Sequence, residues 1–279
     1  MVAYKNYPRK EEEIAQRIKQ YGEAELKYFT EAEAYRFVLS VIDLTTLEGS
    51  DNAQKINELC QTAINFKDEA RHIPSTAAVC VYPPFVAQAK QLLKGTDIHV
   101  ASVAGAFPAG QSPIEIKVAE VQYAVNAGAD EIDMVISRGK FLEGNYQEVF
   151  DEIVAIKKAC GNAHLKVILE TGELKTSDNI YAASMMAMEA GADFIKTSTG
   201  KISVNATPES FLIMLDAISD YYKQTGKMVG MKPAGGISDA ETSLLYVKIL
   251  ENVLGEKWLN KQYFRIGASR LAKKIIEKI

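Results

Sequence analysis

Eight short apolar runs, each followed by a segment of helical spacing, constrain this 279-residue chain more than any other feature. The runs are Phe37–Asp43, Ala77–Tyr82, Ile98–Val103, Glu131–Ile136, Leu165–Glu170, Ala192–Thr197, Met228–Lys232 and Tyr263–Ile266. Near-continuous apolar runs fit strands buried on both faces, as in a parallel sheet. Strict alternation with helices implies right-handed crossovers between parallel neighbours. No linker, low-complexity tract or change of composition separates the units. The sequence therefore predicts an α/β fold, a single (β/α)8 TIM barrel, over residues 37–279. An open dinucleotide-binding sheet is disfavoured, because no G-x-G-x-x-G follows the first run.

Polar residues mark several helix starts: Asp51 or Asn52, Ser112, and Ser238 or Asp239 stand where a side chain caps a first turn. Residues 1–36 lie outside the repeat. From residue 9 onward they are strongly charged, with Ile14, Ile18, Leu26 and Phe29 at loose helical spacing. This predicts one or two amphipathic helices, broken near Gly22, that form an N-terminal extension packed on the barrel. A partner-binding helix is the alternative reading of such a segment.

The formal net charge of -4 gives no general attraction to nucleic acid or anionic membranes, so anion recognition must be local. No apolar run reaches the roughly 18 residues of a membrane span. The opening Met-Val-Ala-Tyr-Lys-Asn-Tyr-Pro lacks a signal peptide's apolar stretch. Cys60, Cys80 and Cys160 are far apart and odd in number, which fits a reduced, cytoplasmic protein. Cys80 reads as a core thiol more readily than as an exposed reactive one. The scattered His72, His99 and His164 predict no metal site.

Within this frame, residues 191–201 carry the first chemical signal: Gly-Ala-Asp-Phe-Ile-Lys-Thr-Ser-Thr-Gly-Lys. A lysine ending a buried strand loses hydration. Lys196 and Lys201, separated by hydroxyls and a glycine, read either as an amine nucleophile beside an anion cradle or as part of a solvated loop. A repeat bears on that choice. Residues 124–133 and 187–196 share an Ala-Gly-Ala-Asp core, which aligns Asp133 of the fourth strand with Lys196 of the sixth. Alternate strands of a barrel fill one inward layer, so both residues are expected at one height inside it. Lys232 ends the neighbouring seventh strand. A second ammonium lowers its neighbour's pKa, and a neutral amine can form a Schiff base. A purely structural ion pair of Asp133 with one lysine is the alternative. Gly235-Gly236, Gly267-Ala-Ser269 and Gly200-Lys201 converge on the rim where barrels hold phosphate.

Asp43-Leu-Thr-Thr-Leu47, Glu131-Ile-Asp-Met-Val135, Phe194-Ile-Lys-Thr-Ser-Thr-Gly-Lys201, Met231-Lys-Pro-Ala-Gly-Gly-Ile237 and Ile266-Gly-Ala-Ser269 follow in order along the chain. Together they resemble the deoxyribose-phosphate aldolase family from about Val38 onward. The resemblance implies reversible cleavage of 2-deoxy-D-ribose 5-phosphate to acetaldehyde and D-glyceraldehyde 3-phosphate. It implies a class I lyase of deoxyribonucleoside catabolism that needs no cofactor and no metal. Lys196 matches the Schiff-base lysine, Lys232 the lysine that perturbs it, and Asp133 the carboxylate that relays protons. Asp43 and Thr45 match supporting residues of the first strand. Thr199, Gly200, Lys201, Gly235, Gly236, Gly267 and Ser269 match the substrate and phosphate region. A homodimer or higher homo-oligomer is implied, with phosphosugar and aldehyde as its small-molecule partners. Two departures stand out. Arg270 follows Ser269 where many members have a second serine, which leaves its role open. The sequence ends Lys278-Ile279, without the tyrosine tail of some members, which bears on proton exchange at the enamine carbon.

Overall fold

A computed structural model describes Tyr4 and residues 6–279; expectations for residues 1–3 and 5 lie outside the described residues. Two helices come first, α1 (Glu11–Glu23) and α2 (Glu31–Ser40). Strand β1 (Ile42–Thr45) leads to α3 (Ala53–Asn65), β2 (Ala78–Val81) to α4 (Val86–Leu92), and β3 (His99–Ala104) to α5 (Ile114–Asn126). Strand β4 (Glu131–Val135) precedes α6 (Arg138–Leu142) and α7 (Tyr146–Cys160), and β5 (His164–Ile168) precedes α8 (Thr171–Leu174) and α9 (Ser177–Glu189). Strand β6 (Phe194–Lys196) leads to α10 (Pro208–Thr225), β7 (Gly230–Lys232) to α11 (Ala240–Val253), and β8 (Ile266–Ala268) to α12 (Leu271–Ile276).

The eight strands pair in parallel in chain order, and β8 returns to β1. Single parallel bridges, Met231 with Phe264 and Ala234 with Gly267, close the ring between β7 and β8. The fold is thus the expected (β/α)8 barrel. Following the pairings from Asp43 once around returns to β1 eight residues nearer the chain start, at residue 35. That offset is the shear of a TIM barrel.

Local chemistry accounts for most boundaries. Asn52 and Asp239 cap α3 and α11, accepting from Lys55 N at 3.1 Å and Thr242 N at 2.7 Å. Ser112 does not cap: α5 starts after Pro113 with no side-chain cap. The first apolar run splits. Phe37, Val38 and Leu39 belong to α2, which a Thr30–Glu33 capping box starts, and only the later part becomes β1. A short apolar run does not distinguish a buried helix from a buried strand. Helix α2 also runs across residue 36, the expected limit of the extension. The break between the first two helices lies at residues 24–30, and Gly22 sits inside the last turn of α1. That helix packs on α10 and α11. Arg17 grips Asp216 of α10 through two hydrogen bonds of 2.6 and 2.8 Å, and the Tyr7 hydroxyl donates to the same carboxylate at 2.6 Å. The last strand lies later than expected, which puts Gly267 within it.

The shear sorts inward side chains into layers, because constant height advances one residue per strand relative to the hydrogen-bonded register. The lowest layer holds Ala78, Glu131, Phe194 and Arg265; the next, Asp43, Ala101, Lys166 and Lys232; the third, Cys80, Asp133, Lys196 and Gly267. Asp133 and Lys196 therefore share a height, as the repeat implied. Small residues make room for large ones. A Cβ on Gly230 would stand 2.3 Å from the Phe194 ring, and one on Gly267 would stand 3.3 Å from Cε of Lys232. The ring of Phe194 in turn packs against the cations of Lys166, in the layer above, and Arg265, in its own layer, with centroid distances of 6.0 and 5.8 Å. Gly230→Ala should consequently destabilise the barrel by about 1–3 kcal/mol through overpacking. Chemical denaturation measures this, and an unchanged midpoint would contradict the layer assignment.

Candidate active site

Seven ionisable side chains fill the barrel interior: Asp43, Glu131, Asp133, Lys166, Lys196, Lys232 and Arg265, none more than 3% exposed. Their order follows from the layers. At the base, Arg265 bridges Glu131 (2.7 Å) and Asp43 (2.7 Å). His99, at the entrance to β3, reaches Glu131 through Nδ1 at 2.7 Å. Lys166 joins Glu131 to Asp133, the latter at 3.0 Å. Lys232 donates to Asp43 and to Asp133, the second at 2.7 Å. Lys196 donates to Asp133 Oδ2 at 2.7 Å. Asp133 thus receives three amines, while Lys196 has one carboxylate partner where Lys166 and Lys232 each have at least two.

The electrostatics follow from that asymmetry. Burial lowers the pKa of Lys196; Asp133 pulls it back and the charge of Lys232 pushes it down, and the net direction is down. Burial also opposes charge on Lys232, but Asp133 and Asp43 outweigh it and its pKa rises. Lys166 likewise stays charged against burial because of Asp133 and Glu131. Burial works against a charged Asp133 too, yet Lys166, Lys196 and Lys232 hold its pKa well below the carboxylate range. Were Lys196 to give up its proton, Lys166, Lys232 and Arg265 would balance Asp43, Glu131 and Asp133 charge for charge. Cys80, in the layer of Lys196, is fully buried, and burial followed by Asp133 pushes its thiol up to about 11.

Above the layers, at the carboxyl ends of the strands, a cleft of about 620 Å³ opens. Of the seven charged groups only Lys196 lines it. Thr45, Thr199, Gly200, Lys201, Gly235, Gly236, Gly267 and Ser269 stand on its wall, with Lys55 and Arg270. Lys201 Nζ pairs with Glu48 at 2.9 Å across the mouth. The structure brings Lys196, Lys232 and Asp133 together and gathers the glycine loops around one cavity. Asp43 is the exception: it lies beneath the cleft, tied to Lys232 and Arg265, and Thr45 donates to its carbonyl oxygen at 2.9 Å.

A buried amine beside a carboxylate thus opens into a cleft at the carboxyl ends of the strands, the face on which barrel enzymes carry their active sites. Residues 37–248 match the family model described as DeoC/LacD family aldolase. The chain belongs to the DeoC/LacD aldolase family. A human deoxyribose-phosphate aldolase is 48% identical over 254 residues, covering 86% of this chain and 79% of that one. A crystallised protein of Coccidioides immitis is 32% identical with a TM-score of 0.74, covering 98% of this chain and 99% of that one. A deoxyribose phosphate aldolase from Aeropyrum pernix, described as a unique tetrameric structure, is 26% identical with a TM-score of 0.69, covering 95% of this chain and 97% of that one.

Sequence reasoning missed three of the seven interior charges of this aldolase: Lys166, Glu131 and Arg265. Lys166 carried the signal used for Lys196, a lysine alone in an apolar run. Glu131 lies two residues before Asp133 and Arg265 two before Gly267, so each faces inward with its neighbour. Removing Arg265 tests how firmly the base is coupled. Arg265→Met leaves Asp43 and Glu131 short of a cation and should destabilise the fold by about 3–5 kcal/mol at neutral pH. In the wild type both carboxylates have lowered pKa values, so their contribution is complete above about pH 4 and fades as pH falls through the folded values. The variant has less to lose, so the stability gap should narrow on acidification. Denaturation curves at neutral and acid pH check this; a gap that widens in acid would contradict it.

Proposed function

We propose that this aldolase cleaves 2-deoxy-D-ribose 5-phosphate reversibly to acetaldehyde and D-glyceraldehyde 3-phosphate through a Schiff base on Lys196. The observation that carries the reading is that Lys196 is the one cleft-lining amine of the buried cluster and the one whose pKa is lowered. The names of the human and Aeropyrum pernix relatives support the choice of sugar phosphate. The open-chain sugar presents its C1 aldehyde to Lys196 and its phosphate to the rim formed by Gly200, Lys201, Gly235, Gly236, Gly267 and Ser269. The neutral amine adds to C1, and the carbinolamine loses its oxygen as water to give an iminium. Removal of the C3 hydroxyl proton then breaks the C2–C3 bond, whose electron pair moves into the iminium to form an enamine. The fragment from C3 leaves as D-glyceraldehyde 3-phosphate. A proton returns to C2, and water hydrolyses the remaining iminium to acetaldehyde and free amine. Asp133, which accepts from Lys196 and from Lys232 at 2.7 Å each, is the group proposed to relay these protons to and from the amine.

Deoxyribonucleoside breakdown in the cytoplasm and assembly as a homodimer or higher homo-oligomer belong to the same proposal. The cysteines Cys60, Cys80 and Cys160 are free thiols, which suits a reducing compartment. No helix among the described residues is long and apolar enough to cross a membrane.

Borohydride reduction in the presence of acetaldehyde should leave an ethyl group on Lys196, mapped by peptide mass spectrometry. Labelling at another lysine, or none, would sink the mechanism. Lys196→Leu should abolish cleavage while keeping the fold, and retained turnover would contradict the assignment. Lys232→Met gives a directional test. Losing that ammonium removes repulsion and leaves Asp133 more fully to Lys196, so the charged amine gains and its pKa rises. The acid limb of the trapping rate should therefore move to higher pH; a move to lower pH would reverse the assigned coupling.

A further inference from the structure

Glu170 is a fully buried carboxylate outside the seven-charge cluster, and the chemistry above does not use it. It follows β5 in a left-handed backbone conformation, φ +58° and ψ +61°, unfavourable for a residue with a Cβ and kept only where surroundings enforce it. Its carboxylate supplies the hold. Oε1 accepts from the Thr199 amide at 3.1 Å, and Oε2 accepts from the Thr199 hydroxyl and from Arg138 Nη1, the latter at 3.2 Å. Arg138 also donates to the carbonyls of Pro108 and Ala109 at 3.3 and 3.2 Å and pairs with Glu173 at 2.8 Å. Thr199 Oγ1 in turn accepts from the Lys201 amide at 3.1 Å. A hydrogen-bonded chain therefore runs from the loop after β3, through Arg138 and Glu170, to the Thr199–Lys201 turn on the cleft wall. From the other side the turn is open: Gly200 has φ +80° and nothing within 4 Å of where a Cβ would stand.

We infer that Glu170, braced by Arg138, is a positioning residue that holds the Thr199–Lys201 turn in register for the substrate's phosphate. It acts on phosphate affinity without touching substrate, and this rests on the phosphate reading of the cleft given above. A carboxylate is suited to the place: it accepts from the Thr199 amide, the Thr199 hydroxyl and Arg138 together, whereas an amide would present one donor to this set of donors.

Steady-state kinetics of Glu170→Gln on 2-deoxy-D-ribose 5-phosphate and on unphosphorylated 2-deoxy-D-ribose test the inference. The expected result is a KM for the phosphorylated sugar raised about tenfold, with kcat held within about threefold, and kcat/KM for the unphosphorylated sugar unchanged. Arg138→Met should move the same KM in the same direction by less, and it keeps the test alive if the Glu170 variant fails to fold by circular dichroism. An equal loss on both sugars, or an unchanged KM for the phosphorylated one, overturns the inference. A wild-type enzyme that handles both sugars with equal kcat/KM would refute the phosphate reading itself, and the inference with it.

Discussion

One carboxylate, Asp133, receives three buried amines, and the rest of the interior is arranged around that shared acceptor. A carboxylate away from water needs compensating charge, and three ammonium groups around it would repel each other. The conflict is relieved unevenly. Lys166 and Lys232 each gain a second carboxylate from the layer below or beside them, Glu131 and Asp43. Lys196 gains none and faces the cleft. The amine least supported as an ammonium is thus the one that faces the cleft. The lowered pKa of Lys196 arises from burial and its position in a charge network more than from any special property of the strand that carries it.

The barrel supplies the geometry for this. A shear of eight puts alternate strands into common layers, so residues far apart in sequence meet at set heights. Gly230 and Gly267 leave the space that Phe194 and Lys232 occupy. Arg265 fastens the base by tying β1 and β4 to the start of the last strand. The glycine loops at the carboxyl ends then form a rim above Lys196. The charge network lies below and the glycine rim above, on opposite sides of one lysine.

Much of this was legible in the sequence. The alternating runs gave the barrel because strands buried on both faces have no polar face to hide. The repeat placed Asp133 and Lys196 together, and the register agrees. The first run misled because Phe37, Val38 and Leu39 are buried in α2 as deeply as strand residues are. Lys166, Glu131 and Arg265 were visible as charges within apolar segments, but their partners depend on strand register and closure, which no local pattern reports. Asp43 matched a family motif, yet its distance below the cleft follows from the layer it occupies. The left-handed turn at Glu170 leaves no mark in the sequence, since glycine is the usual sign of such a conformation and it is absent there.

The most direct measurement is the titration of individual lysines by NMR with 13C at Cε, assigned by loss of each signal on substitution. Lys196 should titrate below the ordinary lysine value of about 10.4, while Lys166 and Lys232 remain ammonium through the same range. If Lys196 titrates at or above that value, or if Lys232 loses its proton first, then the uneven sharing of Asp133 is not what prepares the nucleophile.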